Sequence, residues 1–68
     1  MDITVNGKQE DISQGISILD FLQEKDQQPQ QVVVEYNGKI IQREKWSDII
    51  IKENDNLEVL KFVGGGSR

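Results

Sequence analysis

The chain has 68 residues and a formal net charge of −4, and it contains no cysteine and no histidine. This length fits one small domain, near the lower limit at which an apolar core suffices without a disulfide or a metal. The missing residue types exclude disulfides, thiolate or imidazole metal sites, and Cys or His nucleophiles.

The charge and hydropathy pattern also limits the classes of partner that this chain is expected to bind. Lysines and arginines are scattered along an acidic chain, whereas nucleic-acid binding depends on clustered basic residues. No apolar run is long enough to cross a membrane, and residues 1–4 lack the basic and apolar regions of a signal peptide. We therefore expect a cytoplasmic protein that binds no nucleic acid, membrane or metal and docks on a basic surface of a larger protein.

The chain opens with a predicted hairpin. Residues 1–5 alternate apolar and polar side chains, as in a half-buried strand. Asn6-Gly7 then favours a two-residue turn with positive φ angles. Residues 8–12 follow as a second, more polar strand, which we expect at an edge of the sheet.

A helix is predicted next. Ser17 begins it with Asp20 three residues later, a variant of the capping box, and the helix ends before Pro29. We expect Phe21 at the margin of the side that faces the core. That side holds Ile18, Leu19 and Leu22.

The second half predicts another hairpin. Val32–Tyr36 is rich in β-branched residues, Asn37-Gly38 repeats the turn signal, and Lys39–Ile41 returns. We expect Trp46 over the edge of the core with its indole N–H near water. Ser47 and Asp48 either start a short helical turn or lead directly into the run of three isoleucines at 49–51.

The last predicted strand, residues 57–63, divides by its period of two. Leu57 and Val59 share one side, which we expect to face the core, while Leu60 and Phe62 share the other. Two large apolar residues on the solvent side indicate a docking patch for a partner. The alternative is that the chain's own loops or a second copy cover them.

The order hairpin, helix, hairpin, strand predicts an α+β domain at residues 1–63 with the β-grasp (ubiquitin-like) fold. Its mixed sheet would have four to five strands, one helix packed across one face, and the first and last strands parallel in the middle. Residues 64–68 would form a flexible C-terminal tail. Because glycine lacks a Cβ, Gly64, Gly65 and Gly66 contribute nothing to a core, and we interpret them as a thin thread that enters a narrow site on another protein.

Three segments resemble a known family. They are the opening Ile3-x-Val5-Asn6-Gly7, the segment Val-Val-Val-Glu-Tyr-Asn-Gly-Lys-Ile-Ile at 32–41, and the stretch 55–66 ending in Phe-Val-Gly-Gly-Gly. Together they resemble the ThiS family, the sulfur carriers of thiamine biosynthesis. The resemblance covers the whole chain except Ser67-Arg68, and the Phe-Val-Gly-Gly-Gly ending and the Val-x-Glu-x-Asn segment are its most specific parts.

The resemblance implies that Gly66 carries sulfur as a thiocarboxylate. A ubiquitin-activating-type enzyme would use ATP to adenylate the carboxylate, sulfur from a donor such as a cysteine desulfurase would replace AMP, and thiazole synthase would receive it. The carrier itself would hold no cofactor and no catalytic residue. Gly64 and Gly65 would thread the tail into the partner, and Leu60 and Phe62 would dock.

The chain departs from the family pattern after Gly66, because the carboxylate as written belongs to Arg68. We expect that Ser67 and Arg68 are removed by a protease or are foreign additions. Otherwise the chain is inactive as it stands.

Three alternatives remain open. The small subunit of molybdopterin synthase also ends in Gly-Gly and also becomes a thiocarboxylate. A ubiquitin-like modifier would be joined to target lysines through the same glycine, and a regulatory binding domain would leave the tail inert.

Overall fold

The computed structural model describes residues 1–62. Val63 and the predicted tail at 64–68 lie outside the described residues. The elements are β1 (Asp2–Val5), β2 (Lys8–Asp11), α1 (Ile18–Glu24), β3 (Val32–Tyr36), β4 (Lys39–Ile41) and β5 (Asn56–Lys61). Two short 3₁₀ helices cover Pro29–Gln31 and Arg43–Asp48.

The five strands form one sheet in the order β2-β1-β5-β3-β4. β1 and β5 are parallel, and the other neighbours are antiparallel. The predicted β-grasp arrangement is confirmed, with the first and last strands side by side in the middle. The polar strand β2 lies at an edge, as predicted from its composition.

Both Asn-Gly dipeptides form the predicted turns. Asn6 and Gly7 have φ angles of 52° and 82°, and Asn37 and Gly38 have φ angles of 52° and 87°. Asn and Gly are the residues that adopt these left-handed angles at least cost. The two hairpins are therefore set by local sequence.

The start of α1 is capped as expected. Ser17 precedes the helix in an extended conformation, and its Oγ accepts a hydrogen bond of 3.0 Å from the backbone N–H of Asp20. Two details of the predicted helix face were wrong. Phe21 is fully buried rather than marginal, while Leu19 is only partly buried. The reason is that α1 is short and turns the stripe Ile18, Phe21, Leu22 to the core, with i, i+3, i+4 spacing.

The core lies between α1 and one face of the sheet. Its buried members are Ile3, Val5, Ile16, Ile18, Phe21, Leu22, Val32, Val34, Trp46, Ile51 and Leu57. The helix is thus packed across one face, and the strands contribute every second residue to that face.

Trp46 does not lie over the edge of the core, and this prediction was wrong. Its side chain is 2% exposed, and its Nε1 donates a hydrogen bond of 3.0 Å to the backbone oxygen of Ile41. The chain after β4 forms the 3₁₀ helix Arg43–Asp48, which turns the indole inward. Because the end of β4 offers a carbonyl acceptor, the indole N–H needs no water.

Candidate functional site

Strand β5 presents two different faces. Leu57 is fully buried and Val59 partly buried against the core, whereas Leu60 is 51% and Phe62 44% exposed. The two residues predicted to dock are thus placed on the side of the sheet away from α1. Their role in docking stays a prediction.

Neighbouring strands add to this apolar surface. Val33 lies directly opposite Leu60, and Ile40 lies opposite Glu35 on the same side and is 67% exposed. We call Val33, Ile40, Leu60 and Phe62 the open face. Sequence reasoning missed Val33 and Ile40, although the alternation of β3 and β4 beside the Asn-Gly turn contains the signal.

Two glutamates lie within the open face. Glu35 and Glu58 are direct cross-strand partners, and like charges in that position repel. Neither takes part in an ion pair with any residue of the described range 1–62. The open face therefore combines apolar surface with uncompensated negative charge.

The asparagines of the two turns do more than form the turns. Asn6 Oδ1 accepts a hydrogen bond of 2.8 Å from the N–H of Val59, and Asn6 Nδ2 donates one of 3.3 Å to the oxygen of Val59. Asn37 Oδ1 accepts one of 2.8 Å from the N–H of Asn56. Both side chains thus hold the backbone of β5, a function that the dipeptide pattern by itself does not predict.

Tyr36 and Asp55 fix the start of β5. The Tyr36 hydroxyl donates to one carboxylate oxygen of Asp55, and that oxygen also accepts from the N–H of Lys52 at 2.8 Å. Burial, together with the hydrogen bond to Asp55, raises the pKa of Tyr36 to about 12. Burial acts to raise the pKa of Asp55, but the hydrogen bonds from Tyr36, Lys52 and Asn37 lower it overall. This cluster is a structural anchor, since each of its members is engaged in holding the strand.

The part of the chain that the structure describes contains no group of three or more acidic residues that could hold a metal ion. In the same part, no helix is long and apolar enough to span a membrane. The predicted sulfur carrier Gly66 and the threading residues Gly64 and Gly65 lie outside the described residues. Phe62, the last described residue, follows directly after the central strand β5, and in the sequence one residue, Val63, separates it from the glycines.

Comparison with known proteins gives consistent results. Residues 2–66 match the model of the ThiS family. The crystal structure of the thiamine biosynthesis protein ThiS from Geobacter metallireducens superposes with a TM-score of 0.83 and 35% identity, covering 97% of this chain and all of the other.

Two curated relatives also match. Protein ycf40 of Trieres chinensis is 34% identical over 91% of this chain and 85% of its own length. Thiazole synthase of Paramagnetospirillum magneticum is 28% identical over 98% of this chain. The chain spans about a fifth of the length of that thiazole synthase, 21%. The fold, the full-length structural match and the family model agree, and the chain belongs to the ThiS family.

Proposed function

We propose that this chain is a sulfur carrier protein of thiamine biosynthesis that delivers sulfur for thiazole formation. The observation that carries the proposal is the extent of the family match, which runs from residue 2 to residue 66 and so ends on Gly66. We assign the carrier position to the carboxylate of Gly66. Gly64 and Gly65 thread this group into the partner.

The chemistry suits a chain without cysteine. Sulfur cannot be held on a side-chain thiol, but a terminal carboxylate can be activated by another protein. An adenylating enzyme joins the carboxylate to AMP with release of pyrophosphate from ATP. The outer sulfur of a persulfide on a cysteine desulfurase or a similar donor then attacks the adenylate and displaces AMP, which gives an acyl disulfide. A second thiol of a partner protein cleaves its S–S bond, which leaves the thiocarboxylate on the carrier and a disulfide on the partner side. The chain acts as a carrier and not as a catalyst, and ATP binds to the enzyme.

Thiazole synthase is the proposed recipient of the sulfur. In support, a thiazole synthase polypeptide about five times longer than this chain contains a segment similar to nearly all of it. Joining two protein segments in one polypeptide keeps them close together, which raises the effective concentration of each segment at the other. We place this exchange in the cytoplasm.

Docking is assigned to Leu60 and Phe62, extended by Val33 and Ile40. Several exposed or partly exposed apolar residues on one face of a small protein are typical of an interaction surface. Because Glu35 and Glu58 repel each other across the strands, a basic group of the partner would relieve that repulsion and add complementary charge. The adenylating enzyme is therefore expected to present an apolar surface with an arginine or lysine.

The test is a loading reaction. A chain that ends at Gly66 is incubated with ATP, a cysteine desulfurase and the adenylating enzyme of the same organism, and its intact mass is recorded. Replacement of one oxygen by sulfur is the expected product. A chain that extends to Arg68 is the control and should remain unchanged, because its terminal carboxylate belongs to an arginine, whose bulk should not pass a slot shaped for glycine.

Other products would indicate other functions. Covalent attachment to lysines of other proteins would identify a modifier. No change with an enzyme proven active on its own carrier would refute both the carrier and the modifier. The small subunit of molybdopterin synthase would form the same thiocarboxylate, so loading alone does not distinguish the two carriers. Sulfur transfer does: the loaded chain should support thiazole formation by thiazole synthase.

A further inference from the structure

Strand β5 extends beyond the end of its neighbour β1. The register between them stops at Val5 and Leu57, and the last backbone hydrogen bond runs from the N–H of Asn6 to the oxygen of Leu57 at 2.9 Å. On the other side β3 continues, with Val32 opposite Lys61. The final part of β5 thus has a backbone neighbour on one side only.

The side chain of Asn6 substitutes for the missing backbone. A primary amide has both an N–H donor and a carbonyl acceptor, like a peptide group. Asn6 uses both on the same residue, since Oδ1 accepts from the N–H of Val59 and Nδ2 donates to its oxygen. Beyond Val59, the backbone of Lys61 receives no hydrogen bond on the side where β1 and Asn6 lie, within residues 1–62.

We propose that Asn6 is a positioning residue, whose amide holds the end of β5 so that Leu60 and Phe62 are presented in a fixed arrangement to the adenylating enzyme. The inference rests on the proposed docking of the open face. Leu60 and Phe62 follow Val59 by one and three residues, and the N–H of Phe62 donates a hydrogen bond of 2.9 Å to the oxygen of Gln31, the residue directly before β3. Asn6 therefore provides the support on the opposite side.

The expected effect is on binding. A residue that is loose in the free protein must be ordered on docking, and ordering one backbone residue weakens affinity about tenfold, which corresponds to 1.4 kcal/mol. Chemistry at the tail carboxylate would be unaffected once the complex has formed. Loss of the Asn6 amide should thus raise KM for the carrier and leave kcat unchanged.

The chain contains a matched control. Asn37 occupies the same position of a similar turn with the same φ of 52°, and its Oδ1 also accepts from a backbone N–H of β5. That bond is at Asn56, the first residue of the strand. Asn56 has backbone neighbours on both sides, because it pairs with β1 on one side and accepts a hydrogen bond from the backbone N–H of Asn37 on the other. Glycine at either position keeps the positive φ and removes only the side chain.

The experiment compares Asn6→Gly and Asn37→Gly in chains that end at Gly66. Thermal unfolding, amide hydrogen exchange at Val59 and Phe62, and KM and kcat for adenylation are measured. Asn6→Gly should speed exchange at both amides and raise KM about tenfold at constant kcat, while Asn37→Gly leaves KM at the wild-type value. Asn6→Asp keeps an acceptor for the Val59 N–H but loses the donor, so its KM should fall between those of wild type and Asn6→Gly.

Two results would overturn the inference and leave the proposed function standing. One is that Asn6→Gly has the same amide exchange rates at Val59 and Phe62, and the same KM, as the wild-type chain. The other is a rise of KM in both glycine variants that simply follows their loss of stability. If the wild-type chain is not adenylated at all, the proposed function fails, and the exchange rates at Val59 and Phe62 alone decide whether Asn6 holds the end of β5.

Discussion

Leu57 and Leu60 lie three residues apart on β5 and offer a direct test of its two faces. Leu57 is fully buried, whereas Leu60 is 51% exposed. Aspartate at Leu57 loses a buried leucine, which costs about 2–5 kcal/mol, and adds a buried carboxylate without a partner, which costs several kcal/mol more. A domain of 68 residues has a total stability of about 3–10 kcal/mol, so Leu57→Asp should unfold the chain.

Leu60→Asp should leave the fold intact and weaken docking. Half of this side chain is already in water, so the loss of stability should stay near 1 kcal/mol. Burying the exposed half against a partner contributes a similar amount, about 1 kcal/mol. The new carboxylate also lies on the same face as Glu58 and must be desolvated in the complex. We expect KM for adenylation to rise at least about tenfold.

The assay has two parts. Thermal melts by circular dichroism establish which variants fold, and pyrophosphate release then gives KM for the folded ones. Leu60→Gln is the uncharged control and should show a smaller rise in KM than Leu60→Asp. If both aspartate variants unfold, the assignment of the two faces is refuted. If Leu60→Asp is adenylated with the wild-type KM, the enzyme does not dock on the open face.

Four further predictions concern stability. Ser17→Ala removes the cap of α1 and should lower the free energy of unfolding by about 1 kcal/mol, measured by urea titration, with Ser17→Gly losing less. Trp46→Phe leaves the oxygen of Ile41 without its indole donor and opens space in the core, so it should cost about 2 kcal/mol in the same titration. The pKa of Tyr36 is raised to about 12. The contribution of Tyr36 to stability should therefore be fully present below the ordinary tyrosine pKa of about 10 and be lost as pH rises from about 10 to 12. Tyr36→Phe should abolish this alkaline loss in urea titrations at a series of pH values, and an unchanged profile would contradict it. The pKa of Asp55 is lowered, so this residue affects stability at acidic pH. Its contribution is present above the ordinary pKa of aspartate and is lost as pH falls through the lowered value.

Much of this fold follows from local signals in the sequence. Asn6-Gly7 and Asn37-Gly38 each place two strands side by side, because few other dipeptides adopt the required positive φ angles. Ser17 marks the helix start through a hydrogen bond that spans only three residues. With one helix between two hairpins, few arrangements bury all the apolar faces, and the central position of β5 follows.

The errors have a common origin. Trp46 was predicted near water because its sequence neighbours are polar, yet the carbonyl of Ile41 and the turn of the following 3₁₀ helix bring it inside. Phe21 was predicted at a margin of a helix that ends before Pro29, whereas α1 has only seven residues, Ile18–Glu24, and its packing directs Phe21 to the core. Both outcomes depend on what lies opposite the side chain in space, which sequence spacing does not encode.

The sequence by itself determined the order of elements, the two tight turns and the alternation that separates Leu57 from Leu60, since these depend on backbone preferences and on a period of two. Only the tertiary structure decided what meets across strands. It brought Val33 beside Leu60, placed Ile40 opposite Glu35 and Glu35 against Glu58, and placed the amide of Asn6 on a residue 53 positions later in the chain. Such contacts arise from the register of distant segments, and register is fixed only when the whole core packs.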